Sequence, residues 1–133
     1  MSQENLEVIR LGFEALNSGD IDRILAFMHP EFEADVPPEL SAEPDTYRGH
    51  EGIRRYFQSF QDAMDEIQFE PDRFWDAGQS VVVSARLKAK GKQTAIPVEQ
   101  SFAQVWRIRD GKAVGVRTFA SLDEALEAAG LSR

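Results

Sequence analysis

The chain has no cysteine, so disulfides and thiolate metal sites are excluded, and its only imidazoles, His29 and His50, are too few for a histidine-rich metal centre. No metal is therefore expected, and no cofactor is expected either. No stretch approaches the roughly 20 consecutive apolar residues of a membrane span. The N-terminus, MSQENLEVIR, is polar and acidic where a signal peptide would be basic and then apolar. A cytoplasmic location with no membrane partner is the expectation. Basic residues are in the minority, 15 against 23 acidic ones, and the net charge of −8 repels phosphate backbones. Nucleic acid is not an expected partner. What the chain does have, 42% hydrophobic and 29% charged residues in a length of 133, suits one domain able to close a core around a modest cavity. The predicted unit is residues 1–133.

Periodicity divides the chain into a helical first half and a stranded second half. Leu6, Ile9, Phe13 and Leu16 recur at helical spacing and predict a helix over about residues 3–17, with Asn17-Ser18-Gly19 as its stop. Asp20 is a fresh N-cap for a second stripe, Ile21, Ile24, Leu25 and Met28, running to Pro30. Phe32 to Val36 alternates like a half-exposed strand, and Pro37-Pro38 opens a polar loop to about Thr46, expected to be mobile. Ile53, Tyr56, Phe57, Phe60 and Met64 form a third helical stripe with a wide aromatic face. From Ile67 the period becomes two. Asp76-Ala77-Gly78, Lys90-Gly91-Lys92 and Asp110-Gly111 read as hairpin turns between antiparallel strands. Ser121 to Glu124 has capping-box spacing before a short terminal helix closed by Gly130. Helices followed by a meander predict an α+β layer.

Four blocks, EALNSGDIDRILAFMHPEF, YRGHEGIRRYF, DAGQSVVVSARLKAKGK and QVWRIRDGKAVGVRTFASLDEALEAAG, resemble in order and spacing the SnoaL-like, ketosteroid-isomerase-like branch of the nuclear-transport-factor-2 superfamily. The resemblance covers nearly the whole chain. It implies an α+β cone, with three N-terminal helices packed in the concavity of a curved mixed, mainly antiparallel sheet and a pocket at the wide end. Members include isomerases, cyclases, epoxide hydrolases and proteins without known chemistry, and fold alone does not choose among them. Ketosteroid isomerases use an aspartate base on the first strand, a tyrosine on the first helix and a second acid on a later strand. Aligned on Ala15 to Asp20, this chain has Gly12 in place of the tyrosine and Val36 in place of the base, so no ketosteroid isomerase activity is predicted. Asp35 lies one residue away, on the opposite strand face unless a bulge intervenes. The second acid aligns with Glu99 if Pro97 is the anchor and with Ala103 if the Asp110-Gly111 turn is. Where limonene-epoxide-hydrolase-like members carry a last-strand aspartate, this chain has Thr118.

The candidate catalytic residues are Asp35 and Glu99, and the candidate ligand-binding residues are Tyr56, Trp75, Ala103 and Thr118. Two readings stand for each. Asp35 is a pocket-rim base or the exposed half of an edge strand, and Glu99 a pocket acid or a surface one. Tyr56, Trp75 and Trp106 are ligand plates or core filling. Tyr47 and Arg48 are a lid or the end of a loop, and His29 and His50 are read as helix-end residues. Arg86, Lys88, Lys90 and Lys92 read as a solubilising edge rather than an anion site. The leading functional expectation is a pocket for an apolar, ring-containing small molecule, with proton transfer by Asp35 or Glu99 aided by Tyr56. The alternative is a non-catalytic ligand-binding or protein-assembly module. Because both faces of the strand from Val98 to Ile108 carry apolar residues, a homodimer through the sheet is expected. In that arrangement Phe102 and Trp106 lie near the two-fold axis and the Ala103 face turns to the pocket.

Overall fold

The first apolar stripe folds as predicted. In the computed structural model, which describes residues 2–36 and 45–131, helix α1 (Ser2–Ser18) buries Ile9, Phe13 and Leu16 along one face. The chain turns at Gly19, whose φ of +72° suits glycine. Asp20 then caps α2 (Ile21–Ala26), its side chain accepting from the Arg23 N–H at 3.3 Å. The stripe predicted this helix as far as Pro30, yet the chain leaves it at Phe27 and enters strand β1 (Met28–Val36). Proline disfavours a helical residue before it, and the sheet captures the backbone, since the Ala113 N–H donates to the Phe27 carbonyl at 3.0 Å. Pro30, which has no N–H to give, sits in the stretch where the β1 register shifts, between Met28 and Glu33.

Sequence periodicity missed strand β2 (Asp45–Arg48), which pairs antiparallel to β1 with Tyr47 opposite Ala34. Tyr47 and Arg48 are therefore strand residues rather than a lid, and Tyr47 is buried. Residues 37–44, most of the loop expected to be mobile, lie outside the described residues. Helix α3 (Gly49–Ala63) runs directly into β3 (Met64–Asp76), so Met64, expected on the helix face, opens a strand. Register shifts between Asp65 and Gln68 and between Pro71 and Arg73 interrupt β3. Such bulges, with a proline, blunt an edge strand against pairing with other chains. Strands β4 (Ser80–Gly91), β5 (Pro97–Arg109) and β6 (Lys112–Phe119) complete the sheet. The Asp110-Gly111 turn is as predicted, with φ of +53° and +75°. The Asp76-Ala77-Gly78 turn links β3 and β4 as predicted, whereas the turn after β4 sits beyond Lys90-Gly91-Lys92, because Lys90 still pairs with Pro97.

The six strands lie in the order β2-β1-β6-β5-β4-β3, and β1 runs parallel to β6 while the other pairs are antiparallel. Residues of α1, α2 and α3 join Val81, Val83, Ala85 and Trp106 in one core on the inner sheet face. The terminal helix α4 (Leu122–Ala128), capped by Ser121 as predicted, packs Ala125 and Leu126 on the outer face against Val82, Ala103 and Val105. Among the described residues no helix is long and apolar enough to cross a membrane.

Candidate functional site

Strand β5 decides what the inner face offers. Phe102, Gln104 and Trp106 share the parity that faces α1–α3, while Ala103 and Val105 face α4. This reverses the expected orientation. Phe102 and Trp106 do not form an outer seam near a two-fold axis, and Ala103 does not turn to the pocket. The physical reason is volume: the large side chains fill the space under three helices, and the small ones let α4 lie close to the sheet.

Trp106 is the hub of this interior, 3% exposed. Phe13, Phe27 and Phe32 surround its ring at centroid distances of 6.3, 5.9 and 6.0 Å. Beside it lies an apolar cup of about 60 Å³, walled by Phe32, Ala34 and Val116 from the sheet and by Ile53, Tyr56 and Phe57 from α3. A second pocket of about 60 Å³ lies toward Leu87, Gln100 and Phe102. A third, of about 180 Å³, opens between Asn17, Gly19 and Ile67. Phe69 borders all three. A roomier hollow of about 690 Å³ lies along the exposed side of α3, but its Arg48, Glu51, Arg54, Arg55 and Asp62 lining is mixed in charge and it encloses little. The cup is the better site, because ligand pockets are enclosed, mostly apolar and carry a few placed polar groups.

Those polar groups are neutral. The Trp106 Nε1–H donates to Gln104 Oε1 at 3.0 Å, and Gln104 Nε2 donates to Thr118 Oγ1 at 3.3 Å. Tyr56 completes the set, with its ring 4.7 Å from that of Tyr47. Burial, reinforced by neighbouring Tyr47, pushes the Tyr56 phenol up to about 12. In the unfolded chain it ionises near 10, so between about pH 10 and 12 the folded state holds a proton that the unfolded state loses. Stability contributed by the neutral phenol is thus complete below pH 10 and lost as pH rises through 12. Urea denaturation is expected to show wild type losing roughly 2 kcal/mol more than Tyr56→Phe between pH 9 and 12. Parallel pH profiles for the two proteins would contradict the assignment.

Two of the six candidate residues, Tyr56 and Thr118, meet in the cup. Trp75 and Ala103 stand in the outer cluster under α4, where Arg73 lies 4.7 Å over the Trp75 ring. Asp35 follows cup-lining Ala34 in regular pairing, opposite Thr46 and Arg117, which turns it to the outer face. Glu99 is exposed and meets Arg86 at 3.2 Å. The rest of the basic strip is paired likewise, Lys88 with Glu70, Lys90 with Glu66 and Lys92 with Asp65. Among the described cup residues there is no carboxylate. His50 Nε2 lies 2.9 Å from the Met28 carbonyl and ties α3 to β1, and His29 Nδ1 accepts from the Glu31 N–H. Sequence reasoning missed Gln104, although a lone amide between Phe102 and Trp106 on one parity was a legible sign.

Gly12, where the isomerases have a tyrosine, has a different task here. A β-carbon on it would lie 2.5 Å from Phe27 Cε2, so the bare helix backbone is the seat of the Phe27 ring that tilts against Trp106. Gly12→Ala would stabilise an ordinary helix by about 1 kcal/mol. Here it is expected to destabilise by about 1–2 kcal/mol, because Phe27 is forced off Trp106. A higher urea midpoint for Gly12→Ala would refute the wedge.

The SnoaL-like domain model matches residues 9–116. No curated protein matches the chain. Among solved structures, it is similar to a nuclear-transport-factor-2-like protein of unknown function from Burkholderia pseudomallei (22% identity, TM-score 0.79, covering 93% of this chain and 95% of that one). It is also similar to TerC co-crystallised with polyporic acid (24%, TM-score 0.78, covering 96% and 98%). A third is a ketosteroid-isomerase-like protein from Catenulispora acidiphila in complex with trimethylamine (16%, TM-score 0.77, covering 94% and 93%). At these identities the structures speak for the fold, and the family match, spanning most of the length from α1 to β6, establishes that this chain belongs to the SnoaL-like domain family.

Proposed function

We propose that the chain is a small-molecule-binding member of its family, holding an apolar, ring-sized ligand in the inner cup without acid–base chemistry of its own. The observation that carries this is the lining: aromatic and aliphatic walls with a neutral Trp106–Gln104–Thr118 row and no carboxylate among the described residues. A general base needs to reach the proton it removes. Asp35 and Glu99 belong to the outer face, so the proposal leaves both out. That TerC was crystallised with polyporic acid and the Catenulispora protein with trimethylamine accords with a ligand site in this fold. The cup and the two interior pockets beside it are below the several hundred Å³ usual for drug-sized ligands, which favours a small occupant or one that displaces a side chain.

Two indole N–H resonances make the test direct, because Trp106 borders the cup and Trp75 stands on the other face. Acetophenone, a neutral ring compound, is expected to shift the Trp106 resonance saturably in a ¹⁵N-correlated NMR titration and to leave that of Trp75 in place. Ala34→Leu, which adds volume to the cup wall, is expected to abolish the shift. An unmoved Trp106 resonance, or binding indifferent to Ala34→Leu, would remove the cup as the site. The cup is built within one chain, so this function needs no second copy. The sheet-paired homodimer is a separate proposal, and sedimentation equilibrium showing a monomeric mass would dismiss it.

A further inference from the structure

A tryptophan N–H can only donate, so the atom of Gln104 that meets Trp106 Nε1 at 3.0 Å must be its carbonyl oxygen. This fixes an amide orientation that is otherwise ambiguous. With its oxygen engaged, Gln104 presents its NH₂ group to the cup side, where one hydrogen goes to Thr118 Oγ1. Thr118, having accepted, keeps its own hydroxyl hydrogen to give. The relay therefore runs in one direction, from an indole that can only donate to an amide and a hydroxyl that both end as donors.

We propose that the cup selects a neutral ligand carrying a hydrogen-bond acceptor oxygen on an apolar ring, and that Gln104 and Thr118 read this oxygen because Trp106 locks the amide. The inference rests on the cup being a small-molecule site. A carboxylate ligand would be buried with no cation among the described lining residues to meet it, and burying an unpaired charge is costly. An ammonium ligand would meet only the second lone pairs of Gln104 Oε1 and Thr118 Oγ1, with no carboxylate among the described lining residues to balance its buried charge. The aromatic faces alone would attract a cation, so an amine is the informative rival.

The experiment uses the same NMR titration with three probes of matched shape: acetophenone, α-methylstyrene, in which CH₂ replaces the carbonyl oxygen, and protonated 1-phenylethylamine. Acetophenone is expected to bind at least about tenfold more tightly than α-methylstyrene, since the hydrocarbon leaves the donors unpaired. Gln104→Glu, whose carboxylate still accepts from Trp106 but no longer donates, is expected to erase that preference. Thr118→Val, of nearly equal shape, is expected to reduce it severalfold. An unchanged Trp75 resonance shows that each variant is folded. Equal binding of acetophenone and α-methylstyrene, tighter binding of the amine, or a preference surviving Gln104→Glu would each overturn the donor relay while leaving the cup as a site. Failure of all three probes to move Trp106 would instead overturn the binding function itself.

Discussion

Trp106→Ala is expected to lower the unfolding free energy by about 3–5 kcal/mol, the range for truncating a large aromatic in a packed core. The side chain is 3% exposed and three phenylalanine rings stand around it, so its removal leaves a void that α1, α2 and β1 cannot close without moving. Trp106→Phe keeps much of that volume and removes the Nε1–H that engages Gln104, so a smaller loss of about 1–2 kcal/mol is expected. Trp106→Glu is expected to prevent folding, since it buries a carboxylate among aromatics. Urea denaturation followed by far-UV circular dichroism decides the matter. If Trp106→Glu kept wild-type stability and changed only the oligomeric state, Trp106 would belong on the outer face after all.

That reversal of β5 shows where a single sequence stops being informative. The helical stripe through Ile9, Phe13 and Leu16, the Asp20 cap, the Asp110-Gly111 turn and the Ser121 cap are local signals, and the structure follows them. The facing of β5 is not local. Both parities carry apolar residues, and the choice depends on what covers each face. The clue lay twenty residues on, because a terminal helix with an Ala125–Leu126 stripe requires an apolar landing, and the small side chains of Ala103, Val105 and Val82 provide it. Assigning Phe102 and Trp106 to an outer dimer seam overlooked the chain's own helix. The same physics explains β2: Asp-Thr-Tyr-Arg carries no strand pattern of its own and is held by pairing with β1. The cup was legible in part. Tyr56 and Thr118, singled out one from its helical stripe and one from the resemblance, line the cup, whereas Gln104 and Trp106 were lost with the parity.

Phe69→Ala is expected to have two large and opposite effects. The half-buried ring packs 6.1 Å from Phe60, and truncating it is expected to cost about 2–3 kcal/mol, less than for a fully buried phenylalanine. Its backbone is expected to hold, because Asn17 clamps both of its polar groups. The Phe69 N–H donates to Asn17 Oδ1 at 2.6 Å, and Asn17 Nδ2 donates to the Phe69 carbonyl at 2.8 Å. The void then stays where the ring was, at the junction of pockets of about 60, 60 and 180 Å³. Joined, they approach the lower end of the usual range for ligand sites. A neutral three-ring fluorophore such as N-phenyl-1-naphthylamine is expected to bind the variant about tenfold more tightly than wild type, while the smaller acetophenone gains little from the added space. Fluorescence titration and urea denaturation of the same preparations separate the two effects. A variant that loses stability yet binds the larger probe no better than wild type would mean that Phe69 only packs the edge strand and does not limit ligand size.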